Sequence, residues 1–306
     1  MPPHKYELRS SSTTLIYQLI FKHHLTKNHM TLYPPAKINI GLLIIEKRHD
    51  GFHNIETVFY PVSLCDTLNI EVAEVDADIK LDFKCEGIKL PGNDLSDNLC
   101  CQAYHMLDAD YHLPPTRIRL HKAIPVGAGL GGGSSDAAYT LQALNDLFQL
   151  RITDEDLIGY ASRLGSDCTF FLHRSPAIGT GKGGILEPIS LPLTGYYILL
   201  VKPPVFVSTA DAYSSVVPQK PQRHLPELLH APVCEWRHTI FNDFEKSVFK
   251  KFPEIGRIKD MLYQEGAVYA SMSGSGSSVY GIFDKKPDEI ENLFPGCFIW
   301  NAEVMD

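Results

Sequence analysis

The densest chemistry in the chain lies at Pro125-Val126-Gly127-Ala128-Gly129-Leu130-Gly131-Gly132-Gly133-Ser134-Ser135-Asp136, where five of the seven residues from 127 to 133 are glycine and a helical pattern follows at once. Without Cβ atoms this backbone reaches positive φ and comes close to a ligand. Successive N–H groups can then converge on an anion, and the helix N-terminus adds its partial positive charge. The chemistry described is a phosphate cradle. Ser134 and Ser135 are placed to cap the helix, to offer hydroxyls to phosphate oxygens, or to hold a magnesium ion. A second glycine-rich segment, Ser271-Met272-Ser273-Gly274-Ser275-Gly276-Ser277-Ser278, precedes a strand pattern. Alone it reads as a hairpin or linker; paired with the first loop it suggests a second phosphate-contacting surface.

Two common nucleotide patterns do not fit. Gly127, Gly129 and Gly132 satisfy the spacing GxGxxG, but a dinucleotide unit needs a second strand with an acidic residue near its end, and here Asp154-Glu155-Asp156 opens another helix. The pattern GxxxxGK[ST] is absent because Lys182, in Gly179-Thr180-Gly181-Lys182-Gly183, is followed by glycine.

The elements that must position these loops follow from hydrophobic periodicity. Strand patterns run from Leu32 through Ile45, then over 55–60, 67–72, 79–83 and 117–121. Helical patterns run over about 98–109, 134–148 and 154–164. Further strand patterns at 177–180 and 197–201 precede Lys202-Pro203-Pro204, where a domain boundary is expected. Helices then predominate, with strands at 267–271, 278–283 and 298–300. Runs of strands with segregated helices predict an α+β architecture rather than a regular βαβ array.

The 306 residues allow two domains at about 150 residues each. With 28 Lys plus Arg against 36 Asp plus Glu, the net charge of −8 offers no basic field for a nucleic-acid backbone, and nucleic acid is not an expected partner. A phosphorylated anion must therefore be held by local N–H groups and one or two lysines. The seven cysteines show no CxxC spacing and read as small buried hydrophobes in a reducing cytoplasm, not as a disulfide framework or zinc ribbon. No apolar run reaches the roughly 18 residues of a membrane-spanning helix, so no membrane partner is expected. Residues 1–29 read as an appendage outside the fold, and because the regular pattern opens at Met30-Thr31-Leu32, Met30 is the expected biological start.

The glycine loop, with Pro35-Ala36-Lys37-Ile38-Asn39 near the start and Gly274-Ser275-Gly276 near the end, resembles the three motifs of the galactokinase, homoserine, mevalonate and phosphomevalonate kinase (GHMP) superfamily, in the same order. Asp50-Gly51-Phe52-His53, Asp97-Asn98-Leu99, Leu164-Gly165-Ser166-Asp167 and Asn242-Asp243-Phe244-Glu245 are similar to the branch acting on a cytidine-diphosphate-linked methylerythritol. The resemblance covers roughly residues 32–300. It implies an α+β fold of two domains: an ATP-binding N-terminal domain over 30–200, like domain 2 of ribosomal protein S5, and an α/β C-terminal domain over 201–306, with the active site in the cleft between them. The activity implied is transfer of the ATP γ-phosphoryl group to the tertiary 2-hydroxyl of that alcohol in the non-mevalonate isoprenoid pathway. ATP and Mg2+ are the implied cofactors, and a cytoplasmic monomer or weak homodimer is expected. Alternatives are a kinase of the same superfamily acting on homoserine or mevalonate, or a catalytically inactive binding protein on the same scaffold. Loss of the lysine or aspartate would mark the last, and both are intact.

Position by position, the resemblance makes Asp167 the general base and Lys37 the partner that stabilises charge on the transferred group. Asn39, two residues along the same strand face, orients substrate. Phe52 stands where relatives often carry Tyr, so its ring can stack but no phenolic hydrogen bond survives. His53 recognises cytosine, Tyr213 supplies a ring on the other cytosine face, and Thr209 and Gly274 complete the substrate set. Lys122, Pro125, Gly127, Gly129, Leu130, Gly131, Gly132, Gly133, Ser134 and Ser135 form the ATP-binding set, and Asp97-Asn98 is expected to help hold the nucleotide. No side chain is assigned as a metal ligand.

Overall fold

The computed structural model describes residues 24–26, 28–73, 80–89, 97–287 and 290–305. The described residues open with a hairpin of β1 (His24–Thr26) and β2 (His29–Leu32), followed by β3 (Pro35–Lys47), β4 (His53–Cys65), β5 (Thr67–Val72) and β6 (Leu81–Gly87). Helix α1 (Leu99–Tyr111), strand β7 (Thr116–Lys122), and helices α2 (Gly132–Leu147), α3 (Asp154–Leu164) and α4 (Cys168–His173) come next. Then follow β8 (Ala177–Gly181), β9 (Ile185–Pro188) and β10 (Tyr197–Lys202). The last third holds α5 (Thr209–Tyr213), α6 (Leu225–Leu228), α7 (Glu245–Lys251), α8 (Pro253–Gln264), β11 (Tyr269–Met272), β12 (Val279–Phe283) and β13 (Phe298–Glu303).

Among the described residues three sheets result, in the orders β1-β2-β5-β7-β6, β3-β4-β8-β9 and β11-β12-β10-β13. The first is covered by α1 and α2, whose buried Ala103, Ala137, Ala138 and Ala143 keep the helices close to the sheet and to each other. Such small residues bring the backbones together without leaving voids. Strand β3 is shared between two cores. Ala36, Ile38 and Ile40 pack with Tyr269 and Tyr280 of the C-terminal sheet, while Leu42 and Ile44 pack with Val248 and Ile255 of α7 and α8. The period-2 alternation of a strand turns Lys37 and Asn39 to the face opposite Ile38 and Ile40.

Two sequence-based boundaries shift. β10 is hydrogen-bonded to β12 on one edge and β13 on the other, so the expected boundary at 200/201 falls within an inner strand of the C-terminal sheet. An apolar strand carries no local sign of which sheet it joins. Within the stretch 1–29, β1 pairs with β2 and extends the first sheet, and Asn28 accepts a hydrogen bond from the Val72 amide, so the fold begins ahead of Met30. The apolar patch at 15–21 lies outside the described residues.

Candidate active site

The two glycine loops meet. Ser273 Oγ donates to the Gly129 carbonyl at 2.8 Å, the Ser278 amide donates to Ala128 O at 3.1 Å, and the Asn39 amide donates to Ser273 Oγ at 3.2 Å. Contact is tight enough that a Cβ on Gly129 would lie 2.0 Å from Ser273 O. The second loop is held from behind by the Asn242-Asp243-Phe244-Glu245 motif. Asn242 Nδ2 donates to Met272 O at 2.7 Å and to Gly274 O at 2.8 Å, and Glu245 accepts from the Met272 amide at 2.9 Å and from Lys259 at 2.6 Å. No local pattern in the sequence signals this duty, because it is defined by residues about 30 positions away. Asn242→Ala strips two buried carbonyls of their donor. It is expected to cost about 1–3 kcal/mol, read as a lower Tm, together with a raised KM for nucleotide.

Lys37 is the junction of the site. Its buried ammonium donates to Asn39 Oδ1 at 2.6 Å and to the Gly129 carbonyl at 3.1 Å, and lies 3.4 Å from Asp167 Oδ2. Those contacts reach its own strand, the glycine loop and the start of α4. Asp167 occupies the residue before α4 but makes no side-chain cap. Its carboxylate is about one-third exposed while Lys37 is only 4% exposed, so the pair has one dry end and one open end. Asn39 is fixed in turn: its Nδ2 donates to Thr57 Oγ1 at 3.0 Å, and its carbonyl accepts from Tyr280 OH at 2.8 Å.

The glycine loop and the start of α2 line an open pocket together with Asn98, Leu99, Lys122, Pro125, Phe206 and Thr209. Of the expected ATP set, Ser135 is separate: it is fully buried, its hydroxyl has no hydrogen-bond partner among the described residues, and it does not line the pocket. Ser134 does line it. Lys122 was expected to help hold the nucleotide, but its ammonium is tied up by two buried carboxylates, Asp66 and Asp136, the latter at 2.7 Å. Asp66 also accepts from the amides of Ala123 and Ile124 at 2.6 and 2.9 Å. This trio fastens the entry of the glycine loop to the β4–β5 turn and to α2. Burial pushes the Asp136 carboxyl well above the usual carboxylate range, with the Asp66 charge adding to the shift and Lys122 opposing it. Nothing at Asp66, distant in sequence, marks it as the partner of Lys122.

The rings of His53 and Tyr213, both expected to face a cytosine, lie next to each other. They stack with centroids 4.5 Å apart and planes at 21°. Tyr213 is braced edge-on by Phe244 at 4.7 Å, and its hydroxyl is pushed up by burial and by the nearby Asp167 charge. Burial, with help from Lys47, lowers the His53 pKa, which favours the neutral ring. Phe52 is 59% exposed, with the Lys182 ammonium 4.8 Å from its centroid. Gly274 sits under Asn39, where an added Cβ would be 3.3 Å from Asn39 Oδ1. The structure thus brings together Lys37, Asn39, Asp167 and both loops, with Tyr213 near Asp167 and the His53 ring stacked on Tyr213. Among the described residues no cluster of three or more His, Cys, Asp or Glu could hold a metal, and no helix is long and apolar enough to cross a membrane.

This arrangement is matched by known proteins. Residues 98–175 match the GHMP kinases N terminal domain and residues 227–294 the GHMP kinases C terminal domain. The chain is 52% identical over 255 residues to 4-diphosphocytidyl-2-C-methyl-D-erythritol kinase of Bacteroides thetaiotaomicron, covering 83% of this chain and 92% of that protein. It is 48% identical over 275 residues to the Bacteroides fragilis protein of the same name, covering 90% and 100%. A crystal structure of 4-(cytidine 5'-diphospho)-2C-methyl-D-erythritol kinase superposes with a TM-score of 0.76 at 33% identity, over 89% of this chain and 98% of that one. A homoserine kinase from Cytophaga hutchinsonii shares the fold at a TM-score of 0.68 and 16% identity, over 92% and 96% of the two chains. About half the positions along nearly the whole of these relatives are shared, and the chain belongs to the 4-diphosphocytidyl-2-C-methyl-D-erythritol kinase family within the GHMP kinases.

Proposed function

We propose that this protein transfers the γ-phosphoryl group of ATP to the 2-hydroxyl of 4-diphosphocytidyl-2-C-methyl-D-erythritol, with Lys37 and Asp167 at the reacting centre. The observation that carries the reading is the Lys37 ammonium, which bridges the phosphate loop at Gly129 O and the carboxylate of Asp167. A tertiary alcohol placed at the open end of that pair gives its proton to the Asp167 carboxylate as its oxygen bonds to the γ-phosphorus. The bond from that phosphorus to the β,γ-bridging oxygen breaks, and ADP leaves. Lys37 supplies positive charge that is already oriented, so little reorganisation accompanies the transfer. Loop amides from Gly129 to Ser134 hold the phosphates at the N-terminus of α2.

Ser134, which lines the pocket beside the cradle, would offer one protein oxygen to the magnesium ion that accompanies ATP, the rest of its coordination coming from phosphate oxygens and water. When bound, it neutralises charge on the β- and γ-phosphoryl oxygens.

The stacked His53 and Tyr213 rings form the base-recognition end. Because they already stack on each other, a cytosine stacks on the outer face of the pair. His53→Ala is expected to raise the KM for the cytidine-linked alcohol about tenfold, while the KM for ATP moves less than twofold. Equal rises in both constants would remove His53 from base recognition. The reading as a whole is tested by ADP release with ATP, magnesium and, in parallel, the cytidine-linked alcohol, homoserine and mevalonate. Turnover with the first alone is expected. Turnover with homoserine or mevalonate alone would place the chain with another branch of the superfamily.

A further inference from the structure

Phe206 is a large apolar side chain that folding leaves two-thirds exposed, at 66%, in the wall of the nucleotide pocket. Its position is not that of a loose surface residue. The preceding Val205 carbonyl accepts a hydrogen bond from Ser277 Oγ at 2.7 Å, which ties the segment to the second glycine loop. The following Val207 is buried at 3%, so the backbone on both sides is held and the ring projects outward between two fixed points. The ring lies against the first glycine of the phosphate loop: at Gly127, with φ +62°, an added Cβ would meet Phe206 Cε2 at 2.6 Å. Any side chain at 127 would displace this ring.

The polarity of the pocket says what the ring faces. The phosphate-binding amides and the α2 N-terminus occupy one end, at Gly129 to Ser134, so the base of a bound nucleotide must lie toward the other end, at Pro125 to Gly127. Phe206 lies at that end, against Gly127, and Leu99, Pro125 and Val126 add apolar surface to the pocket, with Asn98 among its polar groups. Asn98 Oδ1 already accepts from the Cys100 amide at 2.9 Å, which leaves the Nδ2 donor for a ligand. An exposed ring, apolar neighbours and one hydrogen-bond donor form a seat for a flat heteroaromatic base.

We propose that Phe206 is a stacking platform for the purine of the phosphoryl donor, a positioning and specificity residue for the nucleotide. The proposal rests on the reading of the glycine loop as the ATP cradle. Stacking of a base on an aromatic side chain lies within about 5- to 150-fold in affinity, the equivalent of roughly 1–3 kcal/mol.

The test compares wild type, Phe206→Ala and Phe206→Tyr for binding of ATP and of inorganic triphosphate, and for the KM of both substrates. Phe206→Ala is expected to weaken ATP binding and raise the KM for ATP about tenfold, with triphosphate affinity, kcat and the KM for the alcohol within twofold of wild type. Phe206→Tyr, which keeps the ring, is expected to stay within twofold throughout. Because the side chain is exposed, the Tm of both variants should match wild type. Unchanged ATP binding in Phe206→Ala would overturn the proposal, as would parallel losses for ATP and triphosphate, which would indicate a distorted loop. Failure of wild type to bind either ligand would instead overturn the ATP-cradle reading, and the proposal with it.

Discussion

Asp167→Asn should lower kcat by about 10²- to 10⁴-fold, the range expected for loss of a positioned proton acceptor, while ATP affinity stays near that of wild type. The amide keeps the shape of the carboxylate but cannot take the hydroxyl proton. Its surroundings make this variant informative. Asp167 caps no helix amide through its side chain and is one-third exposed, so the substitution leaves no new buried group unsatisfied. Lys37 keeps its bonds to Asn39 Oδ1 and Gly129 O, which preserves the link to the phosphate loop. Single-turnover kinetics with saturating ATP separates the chemical step from binding. A rate within threefold of wild type would exclude Asp167 as the base.

Gly129→Ala carries the second large effect, and it arises from backbone rather than chemistry. Gly129 has φ +76°, and its Cβ would fall 2.0 Å from Ser273 O, 2.9 Å from Ser273 C and 3.2 Å from Gly276 N. All three obstacles are backbone atoms of the second glycine loop, so no rotamer change relieves them. The loops must part, and with them the Ser273 Oγ bond to Gly129 O and the Lys37 bond to the same carbonyl. Displacement of a positioning element by about 1 Å can cost roughly 100-fold in rate, and kcat/KM for ATP is expected to fall by at least that much. Gly133→Ala is the control. An added Cβ there meets nothing nearer than Leu99 Cδ1 at 3.9 Å, and activity should remain within a fewfold of wild type. Similar losses in both variants would show that glycine content, not the contact between loops, is what matters.

The parts of this site that were legible in the sequence are those encoded locally. The glycine loop announces itself because five positions in seven lack a Cβ directly before a helical pattern. Lys37 and Asn39 share a strand face because a period of two is visible in Ala36, Ile38 and Ile40. Non-local pairings were not legible. The ammonium of Lys122 finds Asp66 and Asp136 through tertiary folding, so a lysine beside a phosphate loop reads as a phosphate ligand when its charge is already taken up. Asn242 and Glu245 support a loop about 30 residues downstream, and β10 joins strands that come 70 or more residues later. The six residues of α4, which carry Asp167 at their start, are too few to show a helical period and read only as an apolar run. The self-stacking of His53 on Tyr213 depends on where α5 docks, and neither residue's neighbours in sequence indicate it.

The most direct measurement is to identify the product. Purified protein with ATP, magnesium and 4-diphosphocytidyl-2-C-methyl-D-erythritol, followed by ³¹P NMR, should show ADP and a new phosphomonoester on the tertiary 2-hydroxyl appearing in equal amounts, with both signals lost in Asp167→Asn. Release of ADP and free phosphate without the ester, or formation of the ester at undiminished rate in Asp167→Asn, would contradict the assignment of the reaction and its residues.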